Sequence, residues 1–329
     1  MKHGGTPPLS EGEALEDWLD LSTGINPHAF PLPEIRAAEW ENLPSQAGLD
    51  ELLFAARRYY SVPDALEIAA VPGTEAAIHQ LPALIAGPVA IVEPTYGSHR
   101  SAWEADGRPV SALSDLSAAS GETHLVVVNP NNPTGRLLEP DTVLAMGRTL
   151  GQGKVLVVDE AFMDCTPDKS VVPHLQPDMP IIILKSFGKF FGLAGVRLGF
   201  VVAAPELLRG LSGRFGDWCI SGPALTIGAA ALKDSQWQCD MRQRLNANIS
   251  KLEAVIPTSL QIIGKTDLFL TCLHPRAAAL HSFLAKRNIW TRCFSYEPTW
   301  LRIGLPKTDA GFADLAACLS EFDRQAERA

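Results

Sequence analysis

Short apolar runs recurring along this chain limit its fold more than any other feature. They are Leu66–Val71 (LEIAAV), Val89–Val92 (VAIV), Leu125–Val128 (LVVV), Val155–Val158 (VLVV), Ile181–Leu184 (IIIL) and Leu198–Ala203 (LGFVVA). Most are continuous instead of alternating, which is how a strand reads when both of its faces are buried. Helical stretches lie between most of them, including the EAAIHQLPALI that follows Pro72-Gly73-Thr74. The pattern predicts an α/β domain on a mainly parallel sheet with helices on both faces. Sites in such sheets lie at the carboxyl ends of the strands. Those ends present Tyr96, Asn132, Asp159 and Lys189, in four separate segments.

At 329 residues the chain is long for one core, so a large domain with a smaller one is expected. Residues 1–30 read as a polar, Pro- and Gly-bearing arm, either disordered or folded over a site or a partner subunit. Residues 31–222 read as the large α/β domain. From Pro223 a helical region to about Ile256 reads as a linker helix. It leads to a small α+β domain, so that 223–329 form the third segment. The strands expected there are Leu268–Leu273, Ile289–Thr291 and Leu301–Ile303.

The net charge of −9, with no basic cluster to offset it, gives no footprint for nucleic acid or an acidic membrane. Six scattered cysteines form no CxxC and no zinc spacing with histidine, so no metal is expected and the thiols read as reduced and mostly buried. The N-terminus has no apolar core of a secretory signal, and no apolar run reaches the ~20 residues of a spanning helix. A soluble, cytoplasmic protein is expected.

Residues 186–199 (SFGKFFGLAGVRLG) hold the unusual lysine. An ammonium group is costly in surroundings this apolar, and a lysine kept there often serves as an amine nucleophile toward carbonyls. Its structural alternative is a strand crossover whose lysine snorkels to water. The other strand ends favour the chemical reading, because together they match what pyridoxal phosphate needs. Lys189 can hold the aldehyde, Asp159 can keep the pyridine nitrogen protonated, and Asn132 can donate to the ring oxygen. Ser186, Arg197 and the turn Gly73-Thr74-Glu75 can hold the phosphate, and Tyr96 can stack on the ring. An ATPase reading of VLVVDE fails, because Gly188-Lys189 runs into Phe190 and Gly153-Lys154 opens a strand. No G-x-G-x-x-G follows a first strand, which removes a dinucleotide fold.

In order, NPNNPTG, VVDEAF and SFGKFFGLAGVRLGF resemble the fold type I pyridoxal phosphate enzymes, in the class that holds the histidinol-phosphate aminotransferases. The resemblance runs from about residue 20 to 305. The opening HGG, DLSTGINP and WCISGPALTIG are similar to the threonine-phosphate decarboxylases of cobalamin biosynthesis. This implies a mainly parallel seven-stranded sheet and a homodimer. It implies the cofactor roles above for Lys189, Asp159, Asn132, Thr74, Glu75 (through its backbone), Ser186 and Arg197. It further implies that Arg302 grips a substrate carboxylate and that Arg292 meets a phosphate. His3 and the turn Gly24-Ile25-Asn26 would close over the substrate. Three positions depart from many relatives. Phe162 and Leu43 stand in place of tyrosines, and Gly188 in place of Ser or Thr.

The implied reaction is loss of carbon dioxide from L-threonine O-3-phosphate to give (R)-1-amino-2-propanol O-phosphate. The residues themselves leave transamination of a histidinol-phosphate-like amine open, since Arg302 suits both and the outcome depends on pose. A non-catalytic binding protein on this fold is the reading from another class. Retention of Lys189, Asp159, Asn132 and Arg197 together speaks against it.

Overall fold

The computed structural model describes residues 4–326, apart from 10, 13 and 117–120. His3 therefore lies outside the described residues. The chain divides into two units. The larger comprises Ala29–Asn132 and Arg136–Cys239. The smaller comprises the chain up to His28, Pro133–Gly135 and the chain from Asp240.

One short strand, β1 (Leu19–Asp20), precedes the seven strands of the larger unit. These are β2 (Glu67–Val71), β3 (Val89–Val92), β4 (Val110–Leu113), β5 (His124–Val128), β6 (Leu156–Asp159), β7 (Ile181–Ser186) and β8 (Gly199–Ala203). They form one sheet in the order β2-β8-β7-β6-β5-β3-β4. Strand β8 is antiparallel to both neighbours, and the remaining pairs are parallel. This is the expected mainly parallel seven-stranded sheet. Its central strands carry no exposed residue: all of β3, β5, β6 and β8 are buried. Val71, Ile91, Val126, Val157, Ile182 and Val201 pack into one core with Ile78, Leu81 and Trp103 from the helices Thr74–Leu84 and Ser98–Ala105. Strand β4 was not apparent in the sequence. It is an edge strand with half-exposed ends and an exposed middle, so it shows no apolar run.

Local signals set the helix ends. Ser45 caps Gln46–Tyr59 by accepting from the Gly48 N–H at 3.1 Å. Ser221 caps Gly222–Lys233 in the same way through Ala224. The expected single helix from Pro223 to Ile256 is two, Gly222–Lys233 and Ser235–Val255, with Asp234 between them. Asp234 leaves helical geometry and accepts from the Trp237 N–H at 2.9 Å, which starts the second helix. Gly222–Lys233 groups with the larger unit, because it packs on Gln46–Tyr59; a Cβ at Gly228 would come within 2.7 Å of Leu52.

The smaller unit contains β9 (Gln261–Thr266), β10 (Phe269–Leu273), β11 (Ile289–Trp290), β12 (Arg292–Cys293) and β13 (Trp300–Gly304). Four of them form an antiparallel sheet in the order β12-β13-β10-β9. The helices Ala277–Ala285 and Asp309–Ala326 complete the α+β unit. Strand β1 pairs in parallel with β11, which builds the N-terminal stretch into this unit. Residues Pro133–Gly135 pack against β9: a Cβ on Gly264 would meet the Thr134 carbonyl, and one on Gly135 the Lys265 backbone.

Candidate active site

The carboxyl ends of the parallel strands carry the candidate groups of the larger unit. Lys189 lies in one helical turn, Phe187–Phe190, that follows β7 directly. It is half-buried, and its Nζ stands 5.7 Å from the Phe162 ring centroid. At the position of a family tyrosine, Phe162 thus offers an aromatic face to the ammonium without a hydroxyl. Gly188, just before the lysine, has no room for a side chain. A Cβ there would sit 2.7 Å from the Ala194 Cα, which explains the absence of Ser or Thr.

Gly73, Thr74, Ser186 and Arg197 meet in one cup. Gly73 has φ of +82°, and a Cβ on it would lie 2.7 Å from Arg197 Nη2. Both the backbone and the space therefore require glycine. Gly199 comes close on the other side, where a Cβ would be 2.8 Å from the Thr74 nitrogen. Ser186 pairs in register with Gly199. Arg197 itself adopts a left-handed backbone, with φ 55° and ψ 54°, and donates from Nη1 to the Ala194 carbonyl at 3.2 Å. A helix N-terminus with a guanidinium beside it is an anion site.

Asp159, 3% exposed, ends β6. Its Oδ1 accepts from the Ala161 N–H at 3.0 Å, and its Oδ2 lies 2.9 Å from His99 Nε2. His99 is fully buried, and its Nδ1 has no hydrogen-bond partner. Tyr96 packs edge-on against His99, with ring centroids 6.2 Å apart. Its hydroxyl donates to Glu75 Oε2 at 2.9 Å. Half-buried Asn132 follows an anchored pair of amides. Asn129 bonds the Leu138 backbone through both of its polar atoms. Asn131 accepts from Thr95 and donates to the Pro94 carbonyl.

In the smaller unit Arg302 and Arg292 are directly opposite each other on β13 and β12. Arg302 is 6% exposed, lies over the Phe269 ring and donates from Nη2 to the Ser22 carbonyl. Arg292 is half-buried beside Phe294. Ser22 is fully buried; its hydroxyl donates to Asp20 at 2.6 Å and accepts from the Gly5 N–H at 2.7 Å. In the turn Gly24-Ile25-Asn26, Gly24 and Asn26 are buried and Ile25 half-buried, and Asn26 accepts from the His28 N–H.

Residues 16–317 match the family described as aminotransferase class I and II. The chain belongs to that family. A threonine-phosphate decarboxylase from Sinorhizobium sp is 43% identical over 326 residues, covering 98% of this chain and 95% of that one. One from Pseudomonas aeruginosa is 42% identical, covering 95% and 94%. Among solved structures, a histidinol-phosphate aminotransferase from Sinorhizobium meliloti in complex with pyridoxal-5'-phosphate superposes with a TM-score of 0.76. It is 19% identical, with 88% of this chain and 85% of that chain covered.

This aminotransferase-family chain also contains groups that sequence reasoning missed. Lys185 is 1% exposed on β7, its Nζ 3.0 Å from Glu160 and 3.3 Å from Asp164. Burial pulls the ammonium down, but Glu160 and Asp164 outweigh it and hold its pKa above the ordinary lysine value. Ser170 Oγ and the Val171 N–H complete the partners of Glu160. A lysine in an otherwise apolar run was the available signal for this cluster. For His99 the signal was its place one helical turn after Tyr96. Among the described residues no group of three or more His, Cys, Asp or Glu could hold a metal, and no helix is long and apolar enough to cross a membrane. Of the cysteines Cys165 and Cys272 are buried, whereas Cys239 is exposed.

Proposed function

We propose that this protein is a pyridoxal-phosphate-dependent decarboxylase. It converts L-threonine O-3-phosphate to (R)-1-amino-2-propanol O-phosphate and carbon dioxide for cobalamin biosynthesis. The observation that carries the reading is the full-length match to two threonine-phosphate decarboxylases at 42–43% identity. A histidinol-phosphate aminotransferase from Aeromonas salmonicida reaches 28% over 64% of the chain.

The residues fit pyridoxal phosphate. The cup at Gly73 is a cradle that a Cβ would fill, and its two walls, a guanidinium and a helix N-terminus, suit a phosphate. In this reading Thr74 and Glu75 (through their N–H groups), Ser186 and Arg197 hold the phosphate. Lys189 holds the aldehyde carbon, Asn132 donates to the ring oxygen, and Tyr96 covers the ring. Bound there, the cofactor supplies an electron sink for a bond broken at Cα. Asp159 holds a proton at the pyridine nitrogen; its carboxylate is oriented for this by Ala161 and His99. Arg302 grips the substrate carboxylate, its guanidinium steadied by the Ser22 carbonyl. Arg292 takes the substrate phosphate, and the N-terminal stretch with His3 and Gly24-Ile25-Asn26 covers it. Once the carboxylate leaves, the Lys189 amine returns a proton to Cα. We further assign a cytoplasmic homodimer. Exposed Trp40, Leu43 and Trp218 on the larger unit support a partner subunit.

The test is incubation with L-threonine O-3-phosphate and no 2-oxo acid. Stoichiometric amine phosphate with the aldehyde cofactor retained is expected. A single turnover that leaves the cofactor in its amine form would mark an aminotransferase instead. Borohydride should fix the cofactor mass on the peptide containing Lys189, and an unmodified peptide would mark a non-catalytic protein.

A further inference from the structure

The helix that opens beside the Gly73 cup carries an acid in its first turn. Glu75 is the second residue of the helix Thr74–Leu84, where backbone N–H groups are unpaired and the helix dipole favours anions. The Glu75 carboxylate is turned to other partners. Its oxygens are already engaged. Oε2 accepts from Tyr96 Oη at 2.9 Å, and Oε1 accepts from Ser98 Oγ at 2.7 Å. His79, one turn along the helix, places Nε2 3.4 Å from Oε1. A helix that needed only an acid at its start would not require two hydroxyls from another segment to hold it.

Seen from Tyr96, the same bond has a clear effect. The ring meets His99 edge-on at an interplanar angle of 83°, and Glu75 holds its hydroxyl end. Those two contacts define a plane. Burial pushes the phenol well above its ordinary pKa, so Oη stays a donor at every working pH.

We propose that Glu75 is a positioning residue: through its carboxylate it sets the plane of the Tyr96 ring over the cofactor. The assignment rests on the pyridoxal phosphate reading above. It makes the backbone and side chain of one residue serve two ends of the same ligand.

A double-mutant cycle tests it. Wild type, E75A, Y96F and E75A/Y96F are compared by the pyridoxal phosphate dissociation constant and by visible circular dichroism of the bound cofactor. Each single variant should weaken binding about tenfold, and the double variant no further, because both remove one shared hydrogen bond. E75Q should stay within about twofold of wild type, since the amide oxygen still accepts from Tyr96. A double variant weakened about a hundredfold overturns the proposal, because the residues then act independently. So does Y96F with unchanged circular dichroism, a readout that holds even if E75A fails to fold. Wild type without a visible cofactor band overturns the cofactor reading and this assignment with it, and is told apart by that band alone.

Discussion

Single side chains set the chemistry of the larger unit. His99 holds one oxygen of Asp159, so His99→Phe should leave the carboxylate oriented by the Ala161 N–H alone. Cofactor affinity should fall about tenfold, the worth of one hydrogen bond to a charged group, as read by absorbance titration. Lys185→Met should be costlier to the fold. It removes the cation that bridges buried Glu160 and Asp164, and breaking such a pair costs about 3–5 kcal/mol. Urea unfolding of the apoprotein measures it; a loss under about 1 kcal/mol would mean that the carboxylates find protons or other donors at little cost. Lys189, Asp159 and Asn132 stand out as candidates in the sequence because each follows an apolar run, where side-chain type and position coincide. The sequence was silent about His99, Lys185 and Ser22. Their importance comes from partners 60, 25 and 280 residues away, and spacing along the chain does not encode such pairings.

Elements were legible in proportion to how completely they are buried. The runs that became β3, β5 and β7 were located to within two residues at each end, because the buried middle of each is an unbroken apolar run. Strands β4 and β9 lie at sheet edges and alternate little, so no period marked them. The helix pair Gln46–Tyr59 and Gly222–Lys233 depends on a feature that propensity ranks as a defect. Gly228 lies buried mid-helix, with Leu52 and Leu198 where its side chain would go. Gly228→Ala should therefore destabilise by about 1–3 kcal/mol, although alanine is the better helix former. A thermal melt that rises would show that the two helices can separate freely. Gly188→Ser should weaken cofactor binding, because the new side chain meets the Ala194 backbone; titration of the apoprotein measures it.

At the scale of the whole molecule, acid is the predicted weakness. His28, His124 and His274 are buried, His281 is half-buried, and burial holds each pKa below the ordinary histidine value of about 6.5. His124 shows why: its Nδ1 accepts from the Val155 N–H, so the ring must be neutral there. The unfolded chain takes up these protons near pH 6.5 and the folded chain does not. Stability from these rings is complete above that pH and is lost as pH falls below it. The melting temperature should therefore fall between about pH 6.5 and pH 5, ahead of most carboxylate protonation. A flat profile to pH 5 would show that these rings gain protons without disturbing the fold. The mainly parallel sheet of the larger unit was readable from the runs. Where the chain changes units was not: Pro133–Gly135 belong to the smaller unit, three residues within a motif otherwise in the larger.

Strand β6 ends at Asp159 and Glu160 follows directly, and an extended chain turns consecutive side chains to opposite sides. Asp159 goes to His99, and Glu160 to Lys185 and Ser170. The order Asp-Glu therefore works as a parity check on the strand. Deleting one residue from Val155–Val158 would move Glu160 into the place of Asp159 and Ala161 into that of Glu160, so the histidine would meet the longer acid and Lys185 would lose Glu160. Length variation during divergence must then be confined to the loops, and β6 should tolerate substitutions far better than it tolerates a single lost codon.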